Sequence, residues 1–209
     1  MSFEKEVMKI ANYFIIHGFV GKPFENWFPW LEKKLSENNL QCIVPQFPTP
    51  LQQSYVNWEK LLNYYKQIGF VDKNTVFVAH SLGPIFVAKY VIRNNMKIKG
   101  LISISGFNNL ISGMEEFDNM NKSFFLDNSE LSKFKEHAEF IHCFISKNDP
   151  HLPINKLMEF VDTISGELHV IPSGGHFNTA AGYVKFDEVY NIIKTIEGIN
   201  KNKKLKDRV

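Results

Sequence analysis

The sequence of 209 residues predicts an α/β fold with a mainly parallel sheet and helices on both of its faces. Short apolar runs alternate along the chain with longer stretches in which apolar residues return at helical spacing. The short runs are largely apolar, which is typical of parallel strands because helices cover both faces of such a sheet. No repeat or linker-like composition divides the chain, so we predict a single domain over residues 1–209.

The first half of the chain contains three predicted strands and two predicted helices. In order, these are strand 13–16, helix 27–38, strand 41–44, helix 55–68 and strand 75–79. The first helix follows from Trp27, Leu31 and Leu35, which fall on one face. Pro45 begins a proline-rich connection that ends the second strand, and Ser54 can cap the second helix.

The second half continues the alternation with one interruption. The predicted elements are helix 84–93, strand 101–104, strand 140–145, helix 154–164, strand 168–171 and helix 186–196. Residues 106–136 are longer than an ordinary connection and carry several phenylalanines. A long segment after a central strand predicts either a short cap insertion or a mobile loop over a site.

The stretch VFVAHSLGPIFV, residues 76–87, is the most informative motif. An apolar strand runs to Ala79 and a helix begins near Gly83, with Ser81 at the turn between them. This context is typical of a nucleophile elbow, in which the residues two positions before and after the serine must be small. The backbone N–H of Leu82 would then face a developing oxyanion. The competing interpretation is that Ser81 only caps a helix.

The base and the acid are predicted from their places after later strands. In folds built on such an elbow, the chain order is nucleophile, acid, base. Of the seven histidines, His176 follows the last strand in the glycine-rich segment SGGHF, which lets the loop bend back over the sheet. Asp149 is the carboxylate in the loop SKNDP after the preceding strand, although Asp149–Pro150 could also be a simple turn. Asp162 and Asp187 fall on predicted helices.

The loop after the first strand, HGFVG at residues 17–21, is the candidate for a second oxyanion donor. Its glycines allow close approach of the backbone, and the N–H of Phe19 is the best candidate, with a plain turn as the alternative. Candidate substrate-pocket residues are His17, Phe107, Phe124 and Phe125. Ordinary core packing is the competing interpretation for each of them.

These motifs resemble the small α/β-hydrolase family that includes the retinoblastoma-binding serine hydrolase and its bacterial relatives. The resemblance covers most of the chain and runs through WFPWLEKKL, QCIVPQFP, AHSLG, LISISG, SKNDPHLP and SGGHFN. It implies an α/β-hydrolase-type fold with a short cap, a triad of Ser81, Asp149 and His176, and carboxylesterase-type activity. The loop at Phe19 matches the family less well, which leaves the second oxyanion donor open.

Composition excludes several other classes. The formal charge of +2 is too small to indicate a nucleic-acid partner, and the basic segment 199–209 is predicted to be a solvated, flexible tail. We see no signal peptide or membrane segment and expect a soluble, cytoplasmic protein. The two cysteines are expected to be reduced. No metal-binding spacing or phosphate loop is present, so we predict no metal and no cofactor.

The sequence therefore predicts a serine hydrolase that cleaves a small-molecule carboxylic ester through an acyl-enzyme. A thioesterase, amidase or peptidase could use the same three residues. A non-catalytic protein-binding module on the same fold is the alternative of a different class, since a fold does not determine its function.

Overall fold

The computed structural model describes residues 12–110 and 115–199. The strands are β1 (Asn12–Ile16), β2 (Gln41–Ile43), β3 (Val76–His80), β4 (Ile98–Ile104), β5 (Ala138–Ser146) and β6 (Glu167–Ile171). The helices are α1 (Phe28–Ser36), α2 (Tyr55–Gln67), α3 (Gly83–Arg93), α4 (Glu115–Asn121), α5 (Asn128–Leu131), α6 (Ile154–Ile164) and α7 (Asp187–Ile196). Short 3₁₀ turns occupy Ser132–Glu136 and Thr179–Ala181.

The strands of the described residues form one parallel sheet in the order β2-β1-β3-β4-β5-β6. The predicted α/β class and the mainly parallel sheet are confirmed. The predicted order of strands and helices is also observed, with boundaries that shift by a few residues. The largest shift is in β4, which begins at Ile98 rather than at residue 101 because pairing with β5 already starts there.

Two apolar layers cover the sheet. Alternate residues of β1 divide between them, with Phe14 and Ile16 facing one layer and Tyr13 and Ile15 facing the other. Helices α2, α3 and α6 pack against the first face, and α1 and α7 pack against the second. This arrangement explains why the central strands β1 and β3 are buried on both faces along their whole length.

The chain order creates a crevice at the carboxyl edge of the sheet. β1 lies between β2 and β3, so the connection leaving β1 runs to one side and the later connection from β2 returns to the other. Loops diverge above such a switch point and leave a crevice beyond the strand ends, which is where ligands bind in open α/β sheets. The loops after β1 and β3 carry Phe19 and Ser81.

The segment between β4 and β5 packs closely on the first face of the sheet. Phe124, Leu131 and Phe134 from this segment are fully buried in the core beside α3. The Lys89 ammonium of α3 donates to the backbone carbonyl of Ser123 at 2.8 Å. The predicted insertion therefore forms α4, α5 and a 3₁₀ turn, while residues 111–114 lie outside the described residues.

Three other expectations concern the cysteines, a membrane span and the C-terminal segment. Both cysteines are free; Cys143 is buried and Cys42 is partly buried. In the two described ranges, no helix has the length and apolar character needed to cross a bilayer. Residues 200–209, which make up nearly all of the predicted tail, lie outside the described residues.

Candidate active site

Ser81 occupies a strained turn between β3 and α3. Its φ angle is 59°, in the left-handed region that non-glycine residues rarely adopt. The Ser81 N–H donates to the Ile104 carbonyl at 2.8 Å, which ties the turn to the end of β4. A Cβ on Gly83 would lie 2.9 Å from the Ile16 carbonyl oxygen, so only glycine lets α3 start this close to β1. The serine is thereby held at the carboxyl edge of the sheet.

The loop after β1 approaches Ser81 just as closely. A Cβ added to Gly18 would lie 2.7 Å from Ser81 Cβ and 3.1 Å from Ser81 Oγ. The absence of a side chain at Gly18 therefore brings the backbone of this loop against the serine hydroxyl. The loop then forms a turn that is closed by a 3.2 Å hydrogen bond from the Gly21 N–H to the Gly18 carbonyl.

Replacing Gly18 with Ala is expected to lower the reactivity of Ser81 toward an activated ester, measured as kcat/KM, by about 10- to 100-fold, because the methyl group displaces the Ser81 side chain. Steady-state kinetics with an activated ester measures the effect. Gly69→Ala is the matched control, since Gly69 has a positive φ but open space around its Cβ position. The control should lose some stability and keep its kcat/KM; equal kinetics in both variants would contradict the close approach.

His176 joins Ser81 to Asp149 through two hydrogen bonds. His176 Nε2 lies 3.1 Å from Ser81 Oγ, and His176 Nδ1 lies 2.8 Å from Asp149 Oδ2. The side chain of His176 is 12% exposed and that of Asp149 is fully buried. Since an ionised carboxylate only accepts, Nδ1 carries the proton and Nε2 is free to accept the serine proton.

Asp149 is held ionised by its hydrogen bonds. Burial alone would raise the pKa of its carboxyl group, but the hydrogen bond and charge of His176 and two backbone N–H groups lower that pKa below the ordinary value. These N–H groups, from His151 and Leu152, donate to Oδ1 at 2.9 and 3.1 Å. The buried hydroxyl of Ser105 also donates to Oδ2, at 3.0 Å. Asp149 can therefore stabilise an imidazolium at His176.

The loop that carries His176 is fixed to the loop that carries Asp149. The Gly174 N–H donates to Ser146 Oγ at 2.8 Å, and the Gly175 N–H donates to Asn148 Oδ1 at 2.9 Å. Ser146 Oγ in turn donates to Asn148 Oδ1 at 2.7 Å. These bonds connect the carboxyl ends of β5 and β6 and restrict the position of the imidazole.

The buried side chain of His80 contacts both the backbone and the ring of His176. Its Nε2–H donates to the His176 carbonyl at 2.7 Å, and the ring centroids of the two histidines lie 4.9 Å apart. His80 is 5% exposed. Burial, reinforced by the charge that His176 can carry, lowers the pKa of His80 from 6.5 to about 3. His80 is therefore a neutral donor that positions the backbone of the His176 loop.

Neutral burial of His80 predicts acid-sensitive stability. Between about pH 3 and 6.5 the unfolded chain binds a proton that folded His80 does not, so the free energy of unfolding falls as pH falls. His80→Gln keeps a donor but cannot titrate. We expect the loss of stability between pH 7.5 and 5.5 to be smaller in this variant by about 1.4 kcal/mol.

Urea unfolding at the two pH values measures this difference. Burial also lowers the pKa values of His17 and His142, but their contribution is present in both proteins and cancels. The stability that ionised Asp149 contributes is lost only at lower pH, as pH falls through its lowered pKa. An identical pH dependence in wild type and variant would show that His80 does not titrate in this way.

A cavity of about 400 Å³ opens beside Ser81. Its lining is mainly apolar and also includes the polar side chains of Glu25, Asn26 and Asn178. The apolar and aromatic side chains are Phe19, Val20, Phe28, Phe107, Phe117 and Leu152. Ser81 and His176 also line the cavity, so the hydroxyl and the imidazole both face the space that a small ligand would occupy.

Comparisons with known proteins indicate the family of the chain. The family model described as serine hydrolase matches residues 13–195, most of the chain. The chain belongs to the serine hydrolase family. It is 28% identical to YdeN of Bacillus subtilis over 182 residues, covering 86% of this chain and 93% of YdeN. It is 23% identical to the serine hydrolase RBBP9 of Rattus norvegicus, covering 81% of this chain and 86% of that protein.

A solved structure supports the same assignment. The crystal structure of the ydeN gene product from B. subtilis superposes with a TM-score of 0.77 at 26% identity, covering 90% of this serine hydrolase and 98% of that chain. Alpha/beta hydrolase domain-containing protein 10 from mouse superposes with a TM-score of 0.61 at 14% identity, covering 91% of this chain and 90% of that chain, so the fold is that of an α/β hydrolase.

The structure places the predicted pocket residues of this serine hydrolase in different surroundings. Phe107 lines the cavity beside Ser81. Phe124 instead packs in the core against Trp58 and Phe86, and Phe125 contacts Phe107 from outside the cavity lining. Phe117, which the sequence analysis did not assign to the pocket, lines the cavity and packs edge-on against Phe19.

His17 also lies outside the cavity lining. Both of its ring nitrogens are hydrogen-bonded to backbone groups. The Phe47 N–H donates to His17 Nε2 at 3.0 Å. The proton is therefore on Nδ1, which donates to the Gly18 carbonyl at 2.8 Å. The fully buried ring packs against Phe47 and Trp58. His17 thus fixes the loop that approaches Ser81 and does not contact the cavity.

The two predicted oxyanion donors belong to two different segments beside Ser81. Leu82 directly precedes α3, so its N–H is among the helix N-terminal amides that have no acceptor within the helix. Phe19 follows Gly18 in the loop against Ser81 and lines the cavity. The structure thus places both residues beside Ser81, and the binding of an oxyanion by their N–H groups stays a prediction.

Ser105 and His80 are the site residues whose roles the sequence analysis missed. Ser105 follows β4 and has a φ of 49°, which directs its hydroxyl to Asp149. The only sequence signal was the position of Ser105 after a predicted strand, and a single serine there is too common to be informative.

Proposed function

We propose that this serine hydrolase cleaves carboxylic esters through a covalent acyl-enzyme on Ser81. The observation that supports the proposal best is the continuous hydrogen-bonded chain from Ser81 Oγ through His176 to Asp149, with distances of 3.1 and 2.8 Å. A nucleophile, a base and an orienting carboxylate in this geometry are the parts that acyl transfer needs.

In the first step, His176 Nε2 takes the hydroxyl proton as Ser81 Oγ attacks the ester carbonyl carbon. The carbonyl π bond breaks and its oxygen becomes an oxyanion. The N–H groups of Leu82 and Phe19 are proposed to stabilise that charge. Asp149 accepts the Nδ1–H of the resulting imidazolium and so favours proton transfer to Nε2.

In the second step, the tetrahedral intermediate collapses and the bond to the leaving alcohol breaks. The proton on His176 Nε2 is transferred to the leaving oxygen, so an alcohol departs and Ser81 remains acylated. His176 then takes a proton from a water molecule that attacks the acyl carbon, and later returns it to Ser81 Oγ. The products are a carboxylic acid and the free enzyme.

The size and the apolar lining of the cavity favour short acyl or aryl esters. A volume of about 400 Å³ lies at the lower end of the range for small-molecule sites. Phe107 and Phe117, whose ring centroids lie 6.2 Å apart, both line the cavity. A long acyl chain would extend beyond this space and gain no further contact with it.

A panel of activated substrates tests the proposal. Purified protein is assayed with p-nitrophenyl acetate, butyrate and decanoate, a matched thioester and a matched anilide. We expect kcat/KM to be highest for a short ester, at least about tenfold above the decanoate and the anilide. Preferential turnover of the thioester or anilide would replace the ester assignment, and no turnover by folded protein would favour the binding-module alternative.

Phe117→Ala is expected to shift the preference toward longer acyl chains by enlarging the cavity. Phe117 is partly buried and lines the cavity, so its truncation removes aromatic surface from the acyl space. The matched control is Phe125→Ala, because Phe125 is also partly buried in the same segment but does not line the cavity. We expect the ratio of butyrate to decanoate kcat/KM to fall about tenfold in Phe117→Ala only. Equal shifts in both variants would exclude a direct role for Phe117.

A further inference from the structure

A second cluster of chemically active side chains lies away from Ser81, on strands β5 and β6. In the register of this strand pair, His142 lies opposite Glu167 and Phe144 lies opposite His169. Residues two apart on a strand point to the same face, so His142, Glu167 and His169 project together from one face of the sheet. Parallel pairing creates this cluster from residues that are distant in sequence.

The spacing of the three side chains matches the coordination shell of a metal ion. His142 Nδ1 lies 3.1 Å from His169 Nε2 and 3.3 Å from a Glu167 carboxylate oxygen, and the other oxygen of Glu167 lies 3.7 Å from His169 Nε2. Ligand atoms around a tetrahedral zinc ion with bonds of about 2.0–2.1 Å stand about 3.3 Å apart. One potential ligand atom from each residue lies within 4.8 Å of the others.

We propose that His142, Glu167 and His169 form a binding site for a divalent transition metal, with Zn²⁺ as the best fit. His142 Nδ1, His169 Nε2 and one carboxylate oxygen of Glu167 would supply three ligands, and water would take the fourth position. Two imidazoles and one carboxylate favour zinc or its first-row neighbours over Mg²⁺ or Ca²⁺, which prefer oxygen ligands.

The surroundings of the cluster favour an ordered, accessible site. The His169 ring stacks on Phe144, with centroids 4.6 Å apart and an interplanar angle of 17°, and the His142 ring packs beside Phe140. Both rings are therefore restrained before a metal binds. The Glu167 side chain is 66% exposed, which gives an ion access from solvent and lets the carboxylate adjust to it.

The site is separate from the proposed ester chemistry. Glu167 begins β6, whereas Asp149 and His176 follow the opposite, carboxyl ends of β5 and β6. β6 is an edge strand of the described sheet. A bound ion would fasten this edge strand to β5, and we therefore expect it to stabilise the fold without serving as a reactant.

Zinc titration of the full-length protein, freed of any affinity tag and treated with chelator, tests the proposal. We expect one Zn²⁺ to bind per chain and to raise Tm, and one Co²⁺ to give the visible absorption of a tetrahedral site. Glu167→Gln and His169→Gln should each weaken zinc binding by at least about 100-fold, because loss of a direct ligand should exceed the usual effect of losing a supporting group. Glu167→Gln is the safer variant for folding, since the side chain is exposed.

Two control variants make the result specific. Glu139→Gln removes an exposed carboxylate from the same strand β5 and should bind zinc as wild type does. His151→Gln removes a histidine that lines the cavity beside Ser81 and should also leave the affinity unchanged. The proposal is overturned if micromolar Zn²⁺ does not bind, if Glu167→Gln and His169→Gln bind it as well as wild type, or if His151→Gln is the variant that loses it. The imidazole pair would then be only a hydrogen bond.

Discussion

Ser81→Ala is expected to lower kcat for hydrolysis of a short p-nitrophenyl ester by about 10⁴- to 10⁶-fold. The substitution removes the nucleophile and leaves His176 and Asp149 hydrogen-bonded to each other. The proposed oxyanion donors and the cavity would remain, so a small rate above that of water should persist. Steady-state kinetics under saturating ester gives kcat directly.

The matched control for this variant is Ser129→Ala. Ser129 is exposed on α5, so the substitution removes a hydroxyl without changing the candidate site. We expect its kcat to equal that of wild type. A fall of less than about 100-fold in correctly folded Ser81→Ala would contradict covalent catalysis by this residue.

Asp149→Asn is expected to lower kcat by about 10⁴-fold with little change in the fold. An amide at this position can donate to His176 Nδ1, which moves the imidazole proton to Nε2. His176 can then no longer accept the proton of Ser81, whose Oγ lies 3.1 Å from Nε2. The amide also cannot stabilise an imidazolium by charge.

Kinetics and circular dichroism together separate this effect from misfolding. Asp162→Asn is the control, because Asp162 is exposed on α6 and lies outside the loop SKNDP that contains Asp149. It should keep both its kcat and its Tm. If Asp149→Asn retained more than about a tenth of wild-type kcat, Asp149 would not be the group that orients His176.

The parts of the fold and site that could be predicted from sequence are those with local signals. Strands buried on both faces appear as continuous apolar runs, and amphipathic helices appear through their spacing. Ser81, Asp149 and His176 each follow such a strand, within a turn or glycine-rich motif of its own. Because parallel strands present their carboxyl ends at one edge, the chain order of these motifs predicted that the three loops lie at the same edge of the sheet.

The parts that could not be predicted depend on which way side chains turn. Phe117 and Phe124 belong to the same insertion, yet one lines the cavity and the other fills the core beside Trp58. His17 follows a strand beside a glycine, like many site residues, but its ring turns inward to the Phe47 N–H. Partners distant in sequence decide these orientations, and no local pattern identifies them.

The same reason explains why the sequence analysis did not predict the proposed metal-binding cluster. His142 and His169 lie in different strands, so no short motif relates them to each other or to Glu167. The register of β5 against β6 brings them together, and a shift of one residue would place the β6 side chains on the opposite face.

The most direct test of the central claim, that Ser81 is an activated nucleophile, is labelling with a fluorophosphonate probe. Wild type and Ser81→Ala are treated in parallel and analysed by intact mass and peptide mapping. We predict one phosphonate per wild-type chain, on the peptide that contains Ser81, and none on the variant. Folded wild type that stays unlabelled, or Ser81→Ala that is labelled equally well, would contradict the claim.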